Sequence, residues 1–403
     1  MLSKEILAFL CIALLAMAVA KPPMGWSSGF RFKQYTDCTS QDDSCLNEAL
    51  VKATADELVS GGYLSKGYDH IILEDWMDKD RDSNFQLVPD KKRFPQGFKS
   101  LIDYVHGKGL KFGLYLNFGQ YTPNGSPGSM FFMDIDAKTM RDWKVDYVKL
   151  DAYQSDPNQQ EVGIMTFSNY LRQNNNSIHI MCQYPVYQAW QTKGGSYDFK
   201  NLAKSCDTWR ITGDVQDSFS SIKAVDNFLV KYIPDLLEKQ KDLYDHPFDS
   251  DFLLIGNTGL SKRQSEMQMM LWSIWNAPLI ISADLLKMTD FDKKLLLNEF
   301  LIEVNQNTNG NMVETVNGPN KNIQIWRRKI SDSEQVVLFR NYNTLGSQIN
   351  LTKSVKELIN VNSGKFSLMD LLTGKIERQI DASTQINFVI TLSSGKIFKI
   401  SKE

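Results

Sequence analysis

The chain is poor in the residues that build metal centres. Its 403 residues include five cysteines and four histidines. No Cys-x-x-Cys pair occurs, so a zinc site is a weak reading. No Gly-x-Gly-x-x-Gly turn follows any strand candidate, which removes the usual dinucleotide fingerprint. Charge of one sign is not in excess: 45 Lys and Arg face 47 Asp and Glu, for a net charge of −2. There is no basic stripe, and nucleic acid is not the expected partner. Beyond the N-terminus, no run is long and apolar enough to span a bilayer. No internal repeat or low-complexity tract is visible.

What is present starts with the N-terminus. Lys4 precedes the apolar run Ile6–Val19, and Ala18-Val19-Ala20 offers a small-x-small cleavage site. This is the pattern of a signal peptide over residues 1–20, cleaved after Ala20. An uncleaved anchor is the rival, but the run falls short of the roughly 20 residues a span needs. Cys11 leaves with that segment, and Cys38, Cys45, Cys182 and Cys206 remain. An even number in an oxidising compartment favours two disulfides. Cys38–Cys45 would close a small loop, and Cys182–Cys206 would join neighbouring segments. Asn-x-Ser/Thr sequons at Asn124, Asn175 and Asn350 fit a secreted glycoprotein.

Short apolar segments then alternate with helical patterns. After Met24-Gly25-Trp26 come strand candidates at His70–Asp75, Lys111–Asn117, Asp146–Asp151, His179–Tyr184, Thr208–Asp214, Phe252–Asn257 and Pro278–Asp284. Helix candidates between them include Cys45–Ser60, Gln96–Lys108, Ala137–Lys144 and Ser261–Trp275. Such alternation argues for a parallel sheet with crossover helices, an α/β fold. The count fits a closed (β/α)8 TIM barrel over residues 21–316, with a doubly wound open sheet as the rival. From Asn317-Gly318-Pro319, a turn signal, the pattern changes. Asn322–Lys329, Glu334–Tyr342, Gly346–Leu351, Gly364–Asp370, Gly374–Gln379 and Gln385–Ile400 read as strands of a small C-terminal antiparallel β-sandwich over residues 317–403.

The run Val145-Asp146-Tyr147-Val148-Lys149-Leu150-Asp151 is the most telling of the strands. Its spacing places Lys149 and Asp151 on one face near the C-terminal tip. Burying such charges is costly without partners. Strand tips of a β/α barrel converge on one pocket. A structural ion pair, or a helix N-cap, is the alternative. Other candidate tips deliver Glu74 and Asp75, Tyr115 and Asn117, Gln183 with Tyr187 beyond, and Arg210 and Asp214; Trp26 could add an aromatic wall. Each has a plainer role open to it: loop caps for Glu74, Asp75 and Asp214, core for Trp26, an ion-pair partner for Arg210. Two carboxylates with a cation near each suit a retaining glycosidase. Asp151 would be the nucleophile, kept ionised by Lys149. Asp214 would be the acid/base, with a raised pKa. The chemistry calls for no metal or cofactor.

Ordered motifs run through the same region. They include Pro22-Pro23-Met24-Gly25-Trp26, Phe94-Pro95-Gln96-Gly97, Tyr104 to Tyr115, Gly125-Ser126-Pro127-Gly128-Ser129 and Asp134-Ile135-Asp136. Asp142-Trp143 through Asp151, Trp209-Arg210, Gly213-Asp214, Ile255-Gly256-Asn257 and Ala277 to Ser282 follow in order. Through these the chain resembles the α-galactosidase and α-N-acetylgalactosaminidase family of glycoside hydrolases. The resemblance implies Asp151 as nucleophile and Asp214 as acid/base. It implies that Glu74 and Asp75 bind the galactose 4- and 6-hydroxyls, and that Tyr115, Lys149, Tyr187 and Arg210 line the pocket. It also implies both disulfides, a carbohydrate substrate, a homodimer of the kind common in that family, and a lysosomal, vacuolar or secreted destination free of the membrane.

The chain departs from the family at identifiable places. Glu74-Asp75-Trp76 stands where Asp-Asp-Cys-Trp is usual, and Gln34 where that cysteine's partner sits. Pro123 and Tyr153 replace a second bridge. Gly29 replaces an indole, and Pro247–Asp251 keeps only Asp249 and Asp251 of an acidic run. Cys182-Gln183-Tyr184-Pro185-Val186 stands for Cys-Glu-Trp-Pro-Leu. Gln183 can donate to and accept from a 2-hydroxyl and should crowd an N-acetyl group, which favours galactose. Removal of terminal α-galactosyl residues is the expectation. An α-N-acetylgalactosaminide or β-L-arabinopyranoside specificity is one rival, and a sugar-binding protein without turnover is another.

Overall fold

A computed structural model describes residues 21–33, 37–39, 45–175, 177–191, 199–239, 248–308, 313–320 and 322–403. The expected signal segment 1–20 and Gln34 lie outside them. Seven parallel strands form one curled sheet: β1 (Met24–Ser27), β2 (His70–Leu73), β3 (Lys111–Asn117), β4 (Tyr147–Asp151), β5 (His179–Cys182), β6 (Thr208–Trp209) and β7 (Leu279–Ile281). Their order is β6-β5-β4-β3-β2-β1-β7. β1, β2 and β4 are buried along their whole length, as expected of parallel strands covered on both faces.

The eighth position is not a regular strand. The sequence pattern predicts one over Phe252–Asn257, but the chain there makes only single bridges. Phe248 pairs with Trp209 of β6 and Leu253 with Ile281 of β7. The Asp249 N–H donates to Trp209 O at 2.8 Å, and the Leu253 N–H to Ile280 O at 2.8 Å. Those bonds close the ring between its two end strands. The pleat breaks at Asp251, whose φ is +68°, a conformation that no β-strand adopts. β6 likewise stops at Trp209 instead of running to Asp214, and β5 stops at Cys182 because Tyr184 opens a helix.

The crossover helices begin and end on local signals. Asn47 caps Glu48–Ser60 by accepting from the Leu50 N–H at 2.9 Å. Asp156 caps Pro157–Leu171, with proline in the first turn. Met133–Trp143 ends at Lys144, which takes a left-handed φ of +64°. Among the described residues no helix is long and apolar enough to cross a membrane. Both disulfides join the expected pairs, Cys38–Cys45 and Cys182–Cys206, the second tying β5 to the approach of β6.

The C-terminal part is antiparallel. Six strands follow the order β13-β12-β15-β10-β9-β8, and β11 pairs with β14 in a second sheet. They are β8 (Glu314–Asn320), β9 (Ile323–Lys329), β10 (Glu334–Asn341), β11 (Ile349–Ser354), β12 (Lys365–Asp370), β13 (Ile376–Asp381), β14 (Gln385–Ile390) and β15 (Ser394–Lys402). Among the differences from the sequence reading, two concern its turn signals. Asn317-Gly318-Pro319 lies inside β8, at a register irregularity between Val316 and Asn320. β8 is an edge strand, where proline is tolerated. Gln385–Ile400 is two strands, separated at Ser393 with φ +48°.

One face of the six-stranded sheet joins the barrel core through Trp326, Val336, Leu338 and Ile397. It packs on the helix Lys262–Ile274, which is buried from Met267 to Ile274. The other face meets the two-stranded sheet, with Phe339 and Phe388 rings 4.6 Å apart. A buried ion pair crosses the barrel interface. Arg340 Nε lies 2.7 Å from Asp226 Oδ2, and the Trp326 indole N–H donates to Asp226 Oδ1 at 2.8 Å. Arg340→Met would leave Asp226 buried and short of its cation, at a cost of about 3–5 kcal/mol. Urea unfolding of the two proteins measures it; a loss within experimental error would show that the pair does not hold the two parts together.

Candidate active site

A cleft of about 1050 Å³ opens at the C-terminal tips of the barrel strands. Asp151, the last residue of β4, is 4% exposed and accepts three hydrogen bonds. Tyr115 Oη donates to Oδ2 at 2.8 Å, Tyr187 Oη to Oδ1 at 2.8 Å, and the Ala152 N–H to Oδ1 at 2.8 Å. Tyr115 comes from β3; Tyr187 comes from the helix Tyr184–Gln191 beyond β5. Burial, then the Asp151 charge, pushes both phenols above the usual tyrosine value. Both remain donors across the physiological range. Together with the Ala152 N–H they fix the orientation of the Asp151 carboxylate.

Lys149 does not serve Asp151 in the way the sequence suggests. Its Nζ pairs with Glu74 Oε1 at 2.5 Å and lies 4.6 Å from the centre of the Phe252 ring. Both charges are buried. Burial opposes the ammonium, but Glu74 and Asp251 together outweigh it, and the Lys149 pKa stands above its ordinary value. Ser28 holds Glu74 from behind, its Oγ accepting from the Glu74 N–H at 2.9 Å. Gly29 makes room for this arrangement. A Cβ there would sit 2.5 Å from Glu74 Cδ and Oε1, and 2.7 Å from Phe252 Cζ. The longer side chain at 74 and the missing side chain at 29 are therefore one steric unit.

The other catalytic candidate is held differently. Arg210 is 1% exposed and bridges two carboxylates: Asp214 Oδ1 at 2.5 Å and Asp251 Oδ2 at 2.6 Å. The Asp214 side chain is 54% exposed. The Arg210 guanidinium holds its carboxyl below the usual carboxylate range, the reverse of the raised pKa expected from its role. An arginine within contact outweighs the partial burial. Asp75 behaves oppositely: burial, then the Glu74 charge, pushes it up to about 6. Burial and Asp251 push Asp249 up to about 6 as well.

Asp151, Asp214, Glu74, Asp75, Tyr115, Lys149, Gln183, Tyr187 and Arg210 all line the cleft. Trp26 does not. It is fully buried, donates its indole N–H to Ala283 O at 2.8 Å and packs against Phe32. A β1 residue between β2 and β7 belongs to the barrel core. Gln183 Oε1 and Asp75 Oδ2 are buried acceptors with no hydrogen-bond partner among the described residues. Asn124 is exposed on the cleft rim, and Asn350 is exposed on β11. Sequence reasoning gave no role to Phe252, which covers Lys149, or to Asp251, the second partner of Arg210. For Asp251 a signal existed: it survives in a segment that otherwise departs from the resembled family. For Phe252 there was none.

A comparison with known families matches residues 21–307 to the family described as alpha galactosidase A. The chain belongs to that family. It is 33% identical over 375 residues to alpha-N-acetylgalactosaminidase of Gallus gallus, covering 92% of this chain and 91% of the relative. It is 35% identical over 342 residues to alpha-galactosidase A of Homo sapiens, covering 84% and 78%. In fold it matches alpha-galactosidase I from Mortierella vinacea with a TM-score of 0.81 at 23% identity, covering 96% and 98%. The chain is thus a glycoside hydrolase with a TIM-like barrel and a C-terminal antiparallel β region.

The Gly29–Glu74 unit is open to a double-mutant cycle. Gly29→Ala alone should push Glu74 off Lys149 and destabilise the protein by about 1–3 kcal/mol. Adding Glu74→Asp, which withdraws the carboxylate, should recover about 1 kcal/mol or more beyond additivity. Thermal unfolding of the four proteins reads this, and strictly additive effects would contradict it.

Proposed function

We propose that the protein is a retaining exo-α-galactosidase, with Asp151 as nucleophile and Asp214 as acid/base. The observation that carries this reading is the clamp on Asp151. Three donors converge on one buried carboxylate at a strand tip, leaving it fixed and facing a cleft. Asp151 would attack the anomeric carbon while Asp214 protonates the departing glycosidic oxygen. Water activated by Asp214 would then release the sugar from Asp151, with net retention. Supporting the choice of sugar, Gln183 Oε1 is an acceptor in need of a donor, which a 2-hydroxyl supplies. An N-acetyl group at that carbon would meet a full-length glutamine side chain. The orphan Asp75 Oδ2 is suited to another sugar hydroxyl in the same way.

A second reading rests on Glu74. Its extra methylene brings the carboxylate over Gly29 and against Lys149. A pyranoside without the hydroxymethyl group, such as β-L-arabinopyranoside, would crowd that carboxylate less than galactose. The two disulfides support a destination in the secretory pathway, either lysosomal or extracellular. Glycans at Asn124, Asn175 and Asn350 would accompany that route.

Asp151→Asn should lower kcat by on the order of 10⁴-fold or more, with near-normal folding; activity close to the parent would remove Asp151 from the nucleophile role. Nitrophenyl α-galactoside should be turned over in preference to its N-acetyl counterpart and to nitrophenyl β-L-arabinopyranoside. Preference for the arabinoside would select the second reading.

The pH profile follows from the Arg210 pair. The free enzyme needs a proton on Asp214 to start the reaction, and Arg210 lowers the pKa of that group. As pH rises through the lowered pKa the proton is lost and kcat/KM falls. The alkaline limb of kcat/KM should therefore lie below pH ~4, the ordinary aspartate value. A limb near neutrality would show that Asp214 in this ion pair is not the proton donor.

A further inference from the structure

The outer wall of the cleft differs in charge from its floor. The floor carries Asp151, Asp214, Asp251 and Glu74 with two cations among them. The wall is built by the loops after β1, β2 and β3, and lysines dominate it. Lys33, Lys79, Lys91 and Lys92 all line the cleft. Lys79, Lys91 and Lys92 are exposed and Lys33 is half-buried. Among the described residues Lys33, Lys91 and Lys92 make no ion pair, and Lys79 Nζ donates to a neutral group, Asn124 O, at 2.5 Å. The one arginine on this wall is already neutralised: Arg93 Nε pairs with Asp90 Oδ2 at 3.0 Å. Asp75 and Asp78 are the other carboxylates there, and the Asp78 Oδ1 accepts the Lys79 N–H at 2.6 Å. Among the described residues four lysines thus face two acidic side chains without an ion-pair partner, Asp75 and Asp78, in a protein whose net charge is −2.

This wall reaches the chemistry. Lys33 lies close enough to lower the pKa of both Asp75 and Asp214. A sugar seated on the floor would carry its aglycone out past the wall. Clefts focus such fields, and an anion entering this one passes more cations than carboxylates on the wall.

We propose that the aglycone side of the cleft is a subsite for an anionic substituent, so that the preferred substrates are terminal α-galactosides on acidic glycans. The group recognised is a carboxylate or a sulfate on the sugar next to the galactose. The inference rests on the galactosidase reading and names the substrate class of the same cleft. The contacts are exposed and flexible, so the selectivity they give is modest and sensitive to salt.

The test compares an α-galactosyl-galactose disaccharide with two acidic forms of it. One carries a sulfate ester on the reducing sugar, and the other has galacturonate in its place. Nitrophenyl α-galactoside serves as the neutral reference. At low ionic strength kcat/KM should favour at least one acidic disaccharide by roughly 3–10-fold. The sulfate and uronate arms show which group is recognised. The preference should vanish at high salt and in the double variant Lys91→Gln/Lys92→Gln. That variant should keep parental kcat/KM on the nitrophenyl substrate, since neither lysine touches the catalytic groups. Equal turnover of all three disaccharides, or a preference untouched by salt or by the variant, would overturn the inference while leaving the galactosidase reading intact. No turnover of any galactoside, the nitrophenyl one included, would overturn that reading and this one with it.

Discussion

Burying the Lys149 ammonium at the mouth of the barrel is unfavourable unless a carboxylate meets it, and Glu74 meets it at 2.5 Å. Much else follows from that contact. Glu74 can reach Lys149 because Gly29 leaves the space empty. Ser28 fixes the Glu74 backbone, and the Phe252 ring covers the ammonium from the closing segment. The pair therefore locks β1, β2, β4 and the eighth position of the barrel to one another. Removing a single member would strand a buried charge. Removing the space at Gly29 would force the pair apart. The constraint is steric and electrostatic at once, so it cannot be relaxed at one position alone.

The same cleft holds its two catalytic candidates by opposite means. Asp151 is surrounded by neutral donors: two phenolic hydroxyls and a backbone N–H. They orient it through neutral groups, as the proposed nucleophile role requires. Asp214 is tied to a full cation, which Asp251 shares on its other side. It is also far more exposed, at the edge of the cleft where, on the proposed mechanism, a leaving group would depart. One carboxylate is held by neutral donors and the other by a hydrogen-bonded ion pair. That asymmetry matches a double displacement, in which one group forms a bond to carbon and the other exchanges protons with solvent.

Much of this was legible in the sequence, for physical reasons. Parallel strands buried on both faces appear as apolar runs, and β3 falls at Lys111–Asn117 as read. Polar residues at the ends of such runs marked the cleft, and nearly all of them line it. Partner choice was not legible. Lys149 and Asp151 sit two apart on β4, and their spacing suggests a pair. The structure joins Lys149 to Glu74 at the tip of β2, past the intervening β3, a contact 75 residues away in sequence. Trp26 was misplaced for a related reason: alternation along a four-residue strand does not say which face meets the cleft. The pKa of Asp214 was reversed because an acid/base role suggests a raised value, whereas the nearest charge decides the actual one.

The irregular eighth position shows function written into the fold. A regular strand there would engage the backbone between β6 and β7 and alternate its side chains. Here the chain makes single bridges through Phe248 and Leu253, and the residues between them are put to other uses. Asp251 turns through a left-handed conformation. Its Oδ2 accepts the Val215 N–H at 2.8 Å and lies 2.6 Å from Arg210. Its carbonyl accepts the Trp272 indole N–H at 2.8 Å, and its own N–H donates to Asp249 Oδ1 at 2.6 Å. The ladder bonds given up are replaced by side-chain bonds that anchor Arg210 and the loop carrying Asp214. A non-glycine residue in that conformation costs of order 1–3 kcal/mol and persists only when its surroundings over-determine it. These four contacts do so. Barrel closure and the placing of the acid/base candidate are thereby the same structural event, which is why the strand pattern fails where it does.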